Sequence, residues 1–176
     1  MPRLIRLTAV LVGSALAIMV LPTPTIAADL PTGIRAMDGR VAPDFSLKDV
    51  DGNTQRLSAY RGQWVFLHFW ASWCGPCRLE MPKVDAISAE LTKVGMVFLL
   101  VNTSEPEDVV FSFLGDAAPD LTSALDADGL VTETWDPRGL PATFLVDPDG
   151  KIRYQALGGR PWDEPGYRTF LKRLIK

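Results

Sequence analysis

The only two cysteines of this 176-residue chain are separated by two residues, in Trp73-Cys74-Gly75-Pro76-Cys77. Before them lies Trp64-Val65-Phe66-Leu67-His68-Phe69-Trp70, a nearly unbroken apolar run that predicts a strand buried on both faces. After them comes Arg78-Leu79-Glu80-Met81-Pro82-Lys83-Val84, which reads as helix. A buried strand that turns into a helix at a pair of thiols leaves few folds open. It also points to a chemistry. Two thiols at a helix start can close into a disulfide and reopen with little backbone movement, as dithiol exchange requires.

The remaining elements fit around that unit. Phe45-Ser46-Leu47 and Thr54-Gln55-Arg56-Leu57 flank Asp51-Gly52 and predict a hairpin. The helix is expected over 74–91, with Cys77, Met81, Val84, Ile87 and Leu91 on one face and a kink at Pro82. A second buried strand is expected over 96–101, then a short helix over 108–114. A short strand over 121–125 and a helical turn or two over 130–135 come next. Strands over 142–146 and 152–157 are joined by Asp147-Pro148-Asp149-Gly150, a turn between antiparallel neighbours. A closing helix over 164–175 carries Tyr167, Phe170, Leu171 and Leu174 at spacing suited to docking on a sheet. The order predicts α/β layering.

The N-terminus carries the second signal. Arg3 and Arg6 precede an uncharged stretch over 7–21 and a small-residue end over 22–28. Residues 1–27 are expected to be a secretory signal peptide or an uncleaved membrane anchor, and either would export the domain. Residues 28–40, with Pro31, Gly33 and Gly39, read as a linker, and 41–176 as one domain. No block of Lys and Arg suggests a nucleic-acid surface, at a formal net charge of −3. A zinc site needs four ligands, and the chain offers two cysteines and one histidine, so no metal or other cofactor is expected. A structural staple is also a poor reading. So small a loop removes little unfolded-chain entropy when it closes.

Within the motif, Cys74 at the helix N-terminus is expected to be the solvent-reachable nucleophile, because unpaired amides and the helix dipole favour negative charge there. Gly75 lets another backbone approach, and Pro76 is tolerated in the first turn. Cys77, on the core-facing stripe, is suited to resolve a mixed disulfide. Glu80 lies three residues on and can face Cys77; it is either a proton carrier for that thiol or a solvated helical acid. His68 is either a satisfied core histidine or a group that biases thiol ionisation. Trp70 reads as core, Trp73 as a cap on the site, and Trp162 as a packing anchor for the last helix. Leu140-Pro141 stands at a strand entry. It is either an edge device or a cis bond that sets the Leu140 backbone opposite Cys74 as a docking edge.

The run from Phe69 to Pro82, with Ala42-Pro43-Asp44-Phe45, Leu140-Pro141-Ala142-Thr143-Phe144 and Asp147-Pro148-Asp149-Gly150, resembles the thioredoxin superfamily. Within it the chain is similar to the exported TlpA-like thiol-disulfide reductases, the branch that includes those of cytochrome c maturation. The resemblance implies a thioredoxin-like three-layer fold, a central mixed β-sheet flanked by helices, with an N-terminal β-hairpin extension. It implies Cys74 as nucleophile, Cys77 as resolving thiol, Pro141 in the cis form and Glu80 in proton handling. One residue departs from the pattern: His68 stands where thioredoxins carry a buried acid and this branch commonly has Asn.

The function expected is an exported protein disulfide reductase. Its substrates would be disulfides of other exported proteins, such as apocytochrome c CxxCH pairs or copper-site cysteines. Its electrons would come from a membrane thiol donor, and it would act as a monomer, with or without a membrane tether. Two alternatives use the same cysteines: a Cu(I)-binding metallochaperone, and a peroxiredoxin-like antioxidant, which shares the Ala-Pro-Asp-Phe opening but places its cysteine in a Thr-x-x-Cys setting.

Overall fold

The computed structural model describes residues 30–176. The expected leader, 1–27, lies outside the described residues. Strands β4 (Trp64–Trp70), β5 (Met96–Thr103), β7 (Ala142–Val146) and β8 (Ile152–Leu157) are the long members of a six-stranded sheet ordered β1-β8-β7-β4-β5-β6. The short members are β1 (Ile34–Ala36) and β6 (Ser123–Asp126). β4, β5 and β6 run parallel, while β7, β8 and β1 add antiparallel pairs, so the sheet is mixed. The expected hairpin forms a separate two-stranded sheet, β2 (Ser46–Lys48) with β3 (Thr54–Arg56), followed by a 3-10 turn at Leu57–Tyr60. It is tied to β6 through the bridge of Asp49 with Ala124.

Helices α1 (Gly75–Thr92), α2 (Glu107–Ala117) and α4 (Pro165–Leu174) cover one face of the sheet, and α3 (Leu130–Trp135) lies on the other with the hairpin. Side chains alternate across β4 with the period of two that a strand imposes. Val65, Leu67 and Phe69 pack with Trp135 of α3, whereas Phe66 and Trp70 pack with the α1 side. His68 shares the register of Phe66 and Trp70 and therefore faces α1. The buried stripe of α1 runs Cys77, Glu80, Met81, Val84, Ile87, Ser88, Leu91, so a carboxylate occupies a core position.

Three expectations need correction. Ile34–Ala36, within the expected linker, is strand: it pairs with β8 from Ile34 opposite Ala156 to Ala36 opposite Tyr154. Its three residues are too short for periodicity, and the partner defines them. The sixth strand begins at Ser123 rather than 121, because its pairing starts with Leu100 opposite Ser123. Finally, α2 extends from Glu107 to Ala117, longer at both ends, with Pro106 before it and two acids in its first turn.

Candidate active site

Cys74 and Cys77 are joined in a disulfide, with Cα atoms 5.2 Å apart. Cys74 is the N-cap of α1, in extended backbone conformation, and its Sγ accepts from the Cys77 amide at 3.2 Å. That amide is one of the four donors a helix start leaves without an internal acceptor. The sulfur thus receives the hydrogen bond and the dipole that stabilise a thiolate once the disulfide opens. Pro76 sits in the first turn, where its missing N–H costs nothing. The helix runs unbroken through Pro82.

In the oxidised form Cys74 is 6% exposed and Cys77 0%, so the pair is nearly closed to solvent. Its neighbours account for this: Trp70, Ala71, Met81 and Leu140 belong to the same apolar cluster as both cysteines. Trp73, by contrast, is 67% exposed, a free aromatic face beside the motif rather than a lid over it. Beyond Gly75 there is open space where a side chain would stand. The Leu140-Pro141 peptide is cis, and Leu140 packs against the cluster that holds the disulfide.

Glu80 is buried. Its Oε1 accepts from the Arg160 amide at 3.0 Å and from the Trp162 indole N–H. Burial pushes its carboxyl up to about 7; the two donors and the charges of Arg160 and Lys83 pull the other way and lose. His68, also buried, lies with Nδ1 2.9 Å from Thr143 Oγ1 and Nε2 3.9 Å from Glu80 Oε2. Burial alone drives the ring down to about 3, so it is neutral. A carboxyl group that titrates near neutrality one turn beyond Cys77 can take and return a proton.

A family model described as the AhpC/TSA family matches residues 39–155, more than half of the chain. The chain belongs to the AhpC/TSA family. A thiol-disulfide oxidoreductase ResA from Geobacillus thermodenitrificans is 38% identical over 115 residues, covering 65% of this chain and 66% of that protein. The chain thus matches just under two thirds of that relative's length. The ResA of Bacillus thuringiensis is 31% identical over 77% of this chain and 78% of its own. Among solved structures, a thiol:disulfide interchange protein DsbE from Chlorobium tepidum aligns with a TM-score of 0.71 and 33% identity. That alignment covers 78% of this chain and 97% of the other. The thioredoxin-like fold expected from the motif set is therefore the fold of the chain.

Sequence reasoning missed several partners. Trp162 is a packing anchor, edge-on to both Phe66 and Tyr167, and is in addition a donor to Glu80. Glu105 went unnoticed. Its carboxylate accepts from the Ser72 amide and Asn102 Nδ2, both at 2.7 Å, and from the Ser72 hydroxyl. It thereby ties the loop ahead of Cys74 to the end of β5. An acid at a loop position was the available signal, but its partner Ser72 lies 33 residues away. Among the described residues no group of three metal-ligating side chains converges.

Proposed function

We propose that this chain is an exported thiol-disulfide oxidoreductase that reduces disulfides in other exported proteins through Cys74 and Cys77. The observation that carries this reading is the cysteine pair at the start of α1, its outer sulfur held by a helix amide. Beside it a buried acid titrates near neutrality. In the reducing direction the Cys74 thiolate attacks a substrate disulfide and forms a mixed disulfide. Cys77 then loses its proton to Glu80, attacks Cys74 sulfur and releases the substrate sulfur as thiolate. Trp73, Gly75, Pro76, Leu140 and Pro141 are the residues assigned in this reading to meeting a substrate peptide.

Export rests on the leader pattern of residues 1–27. Apocytochrome c CxxCH pairs and copper-site cysteines are the substrate classes proposed, with a membrane thiol carrier as donor. Among the described residues no helix is long and apolar enough to cross a membrane, so a tether, if retained, belongs to the leader. The test is a pair of variants. Cys74→Ser is expected to abolish reduction of insulin disulfides, and Cys77→Ser to accumulate a mixed disulfide whose partner mass spectrometry identifies. Undiminished insulin reduction by Cys74→Ser would reject the reading.

A further inference from the structure

Two buried polar atoms of this site face each other without any other hydrogen-bond partner. Glu80 Oε2 and His68 Nε2 stand 3.9 Å apart, and neither meets a donor or acceptor among the described residues. The second polar atom of each side chain is already engaged. Glu80 Oε1 accepts two N–H donors, so the proton of the carboxylic acid belongs on Oε2. His68 Nδ1 lies against Thr143 Oγ1, and with the ring hydrogen on Nδ1 the lone pair of Nε2 points to Oε2.

We propose that His68 is a positioning residue for Glu80, its neutral ring accepting at Nε2 the hydrogen bond of the protonated carboxyl and so fixing where the proton of the resolving step is stored. The inference rests on the dithiol reading above. The proton balance closes within the site. As Cys77 attacks, its S–H proton passes to the Glu80 carboxylate, the Cys74–Cys77 bond forms, and the bond from Cys74 to the substrate sulfur breaks, leaving a substrate thiolate. Glu80 is then the acid, with its O–H directed at His68. When a thiol donor reopens the disulfide, Cys77 leaves as thiolate and takes the same proton back.

The present separation exceeds a hydrogen bond by roughly 1 Å, a gap that a small shift of the carboxyl or of the ring would have to close. A buried His68–Glu80 ion pair is the competing arrangement. It requires two charges out of water, and burial pushes both groups toward their neutral forms. The other groups that face the pair do not reverse this. Arg160 and Lys83 act on Glu80 from the loop and from α1, and Trp162 donates to it. Thr143 of β7 and the stacked Phe66 ring, which flank His68, are uncharged.

His68 is the only histidine in the chain, so untagged, 15N-labelled protein gives one assignable pair of ring nitrogens. In the oxidised protein, on the acid side of the carboxyl's transition, between about pH 5 and pH 6, Nδ1 is expected protonated and Nε2 bare. The Nε2 resonance should inflect near the carboxyl's value of about 7, and Glu80→Gln should abolish that inflection. An imidazolium at neutral pH, a hydrogen on Nε2 on the acid side of that transition, or a flat Nε2 resonance would overturn the proposal. The second arm is kinetic. In His68→Asn the shorter side chain admits either an amide donor or a water to Oε2, and both favour the carboxylate. The pH midpoint of mixed-disulfide resolution should fall by about one unit, a tenfold change in proton affinity. An unmoved or raised midpoint contradicts the proposal. The nitrogen measurement does not depend on exchange, so a failed dithiol reading and a failed histidine role give different results.

Discussion

A carboxyl group on the buried stripe of α1 occupies ground where an aliphatic side chain would pack, and the surroundings of Glu80 are built to hold it there. Two N–H donors fix one oxygen, and burial keeps the other close to the balance point between acid and carboxylate. If Glu80 carries the Cys77 proton, Glu80→Gln should slow release of the mixed disulfide by about 100-fold, at the low end for a general base, and flatten its dependence on pH. Trp162→Phe supplies a contrast. Its indole stabilises the carboxylate, so removal should shift the same midpoint upward, opposite to the shift expected of His68→Asn. Stopped-flow release kinetics on both variants would read the two signs.

The loops around the dithiol are held by acids that act as local clamps. Glu105 joins Ser72 to Asn102, fixing the approach to Cys74 from β4. Glu105→Ala leaves the Ser72 amide and Asn102 short of an acceptor, at a cost of about 1–3 kcal/mol in chemical denaturation. Faster hydrogen exchange at Ser72 should accompany it. Asp126, at the end of β6, accepts from the first-turn amides of Val131 and Thr132 and so ties β6 to α3, the element that leads into the cis Leu140-Pro141 peptide. Asp126→Ala is expected to destabilise by about 1 kcal/mol.

These clamps mark where reading the sequence stops. β4, β5, β7 and β8 announce themselves because strands buried on both faces, or joined by an Asp-Gly turn, carry their pattern internally. Cys74, Cys77 and Pro141 declare themselves through the motif. β1 does not, since three residues become a strand only by pairing with Tyr154, Gln155 and Ala156. The partners of Glu80 come from residues 80 and 82 positions away, and the partner of His68 from 75 away. Such pairings exist only once the sheet is assembled. For the same reason the near closure of Cys74 by Trp70, Met81 and Leu140 could not be read from its place at a helix start.

At the scale of the molecule, the two buried titrating groups oppose one another in the dependence of stability on pH. Glu80 is raised from 4.5 to about 7, so its contribution is whole below 4.5 and is lost as pH rises toward 7. His68 is lowered from 6.5 to about 3, so its contribution is whole above 6.5 and is lost as pH falls toward 3. Between 4.5 and 6.5 the slopes cancel, and below 4.5 only the histidine loss remains. Denaturation midpoints of the oxidised protein should carry no net slope from this pair in that window. His68→Asn should unmask the glutamate, making the protein gain stability relative to the parent as pH falls to 4.5 from the variant's own carboxyl midpoint, about one unit below the parent's.

Dithiol exchange by this fold requires that reduction free a thiolate at the N-cap of α1 while its neighbour stays shielded. Timed alkylation of the fully reduced protein at neutral pH, with each site resolved by peptide mass mapping, tests that requirement. Cys74 is expected to be modified at least about tenfold faster than Cys77, as a stabilised thiolate beside a buried thiol requires. Equal rates, or faster modification of Cys77, would contradict it.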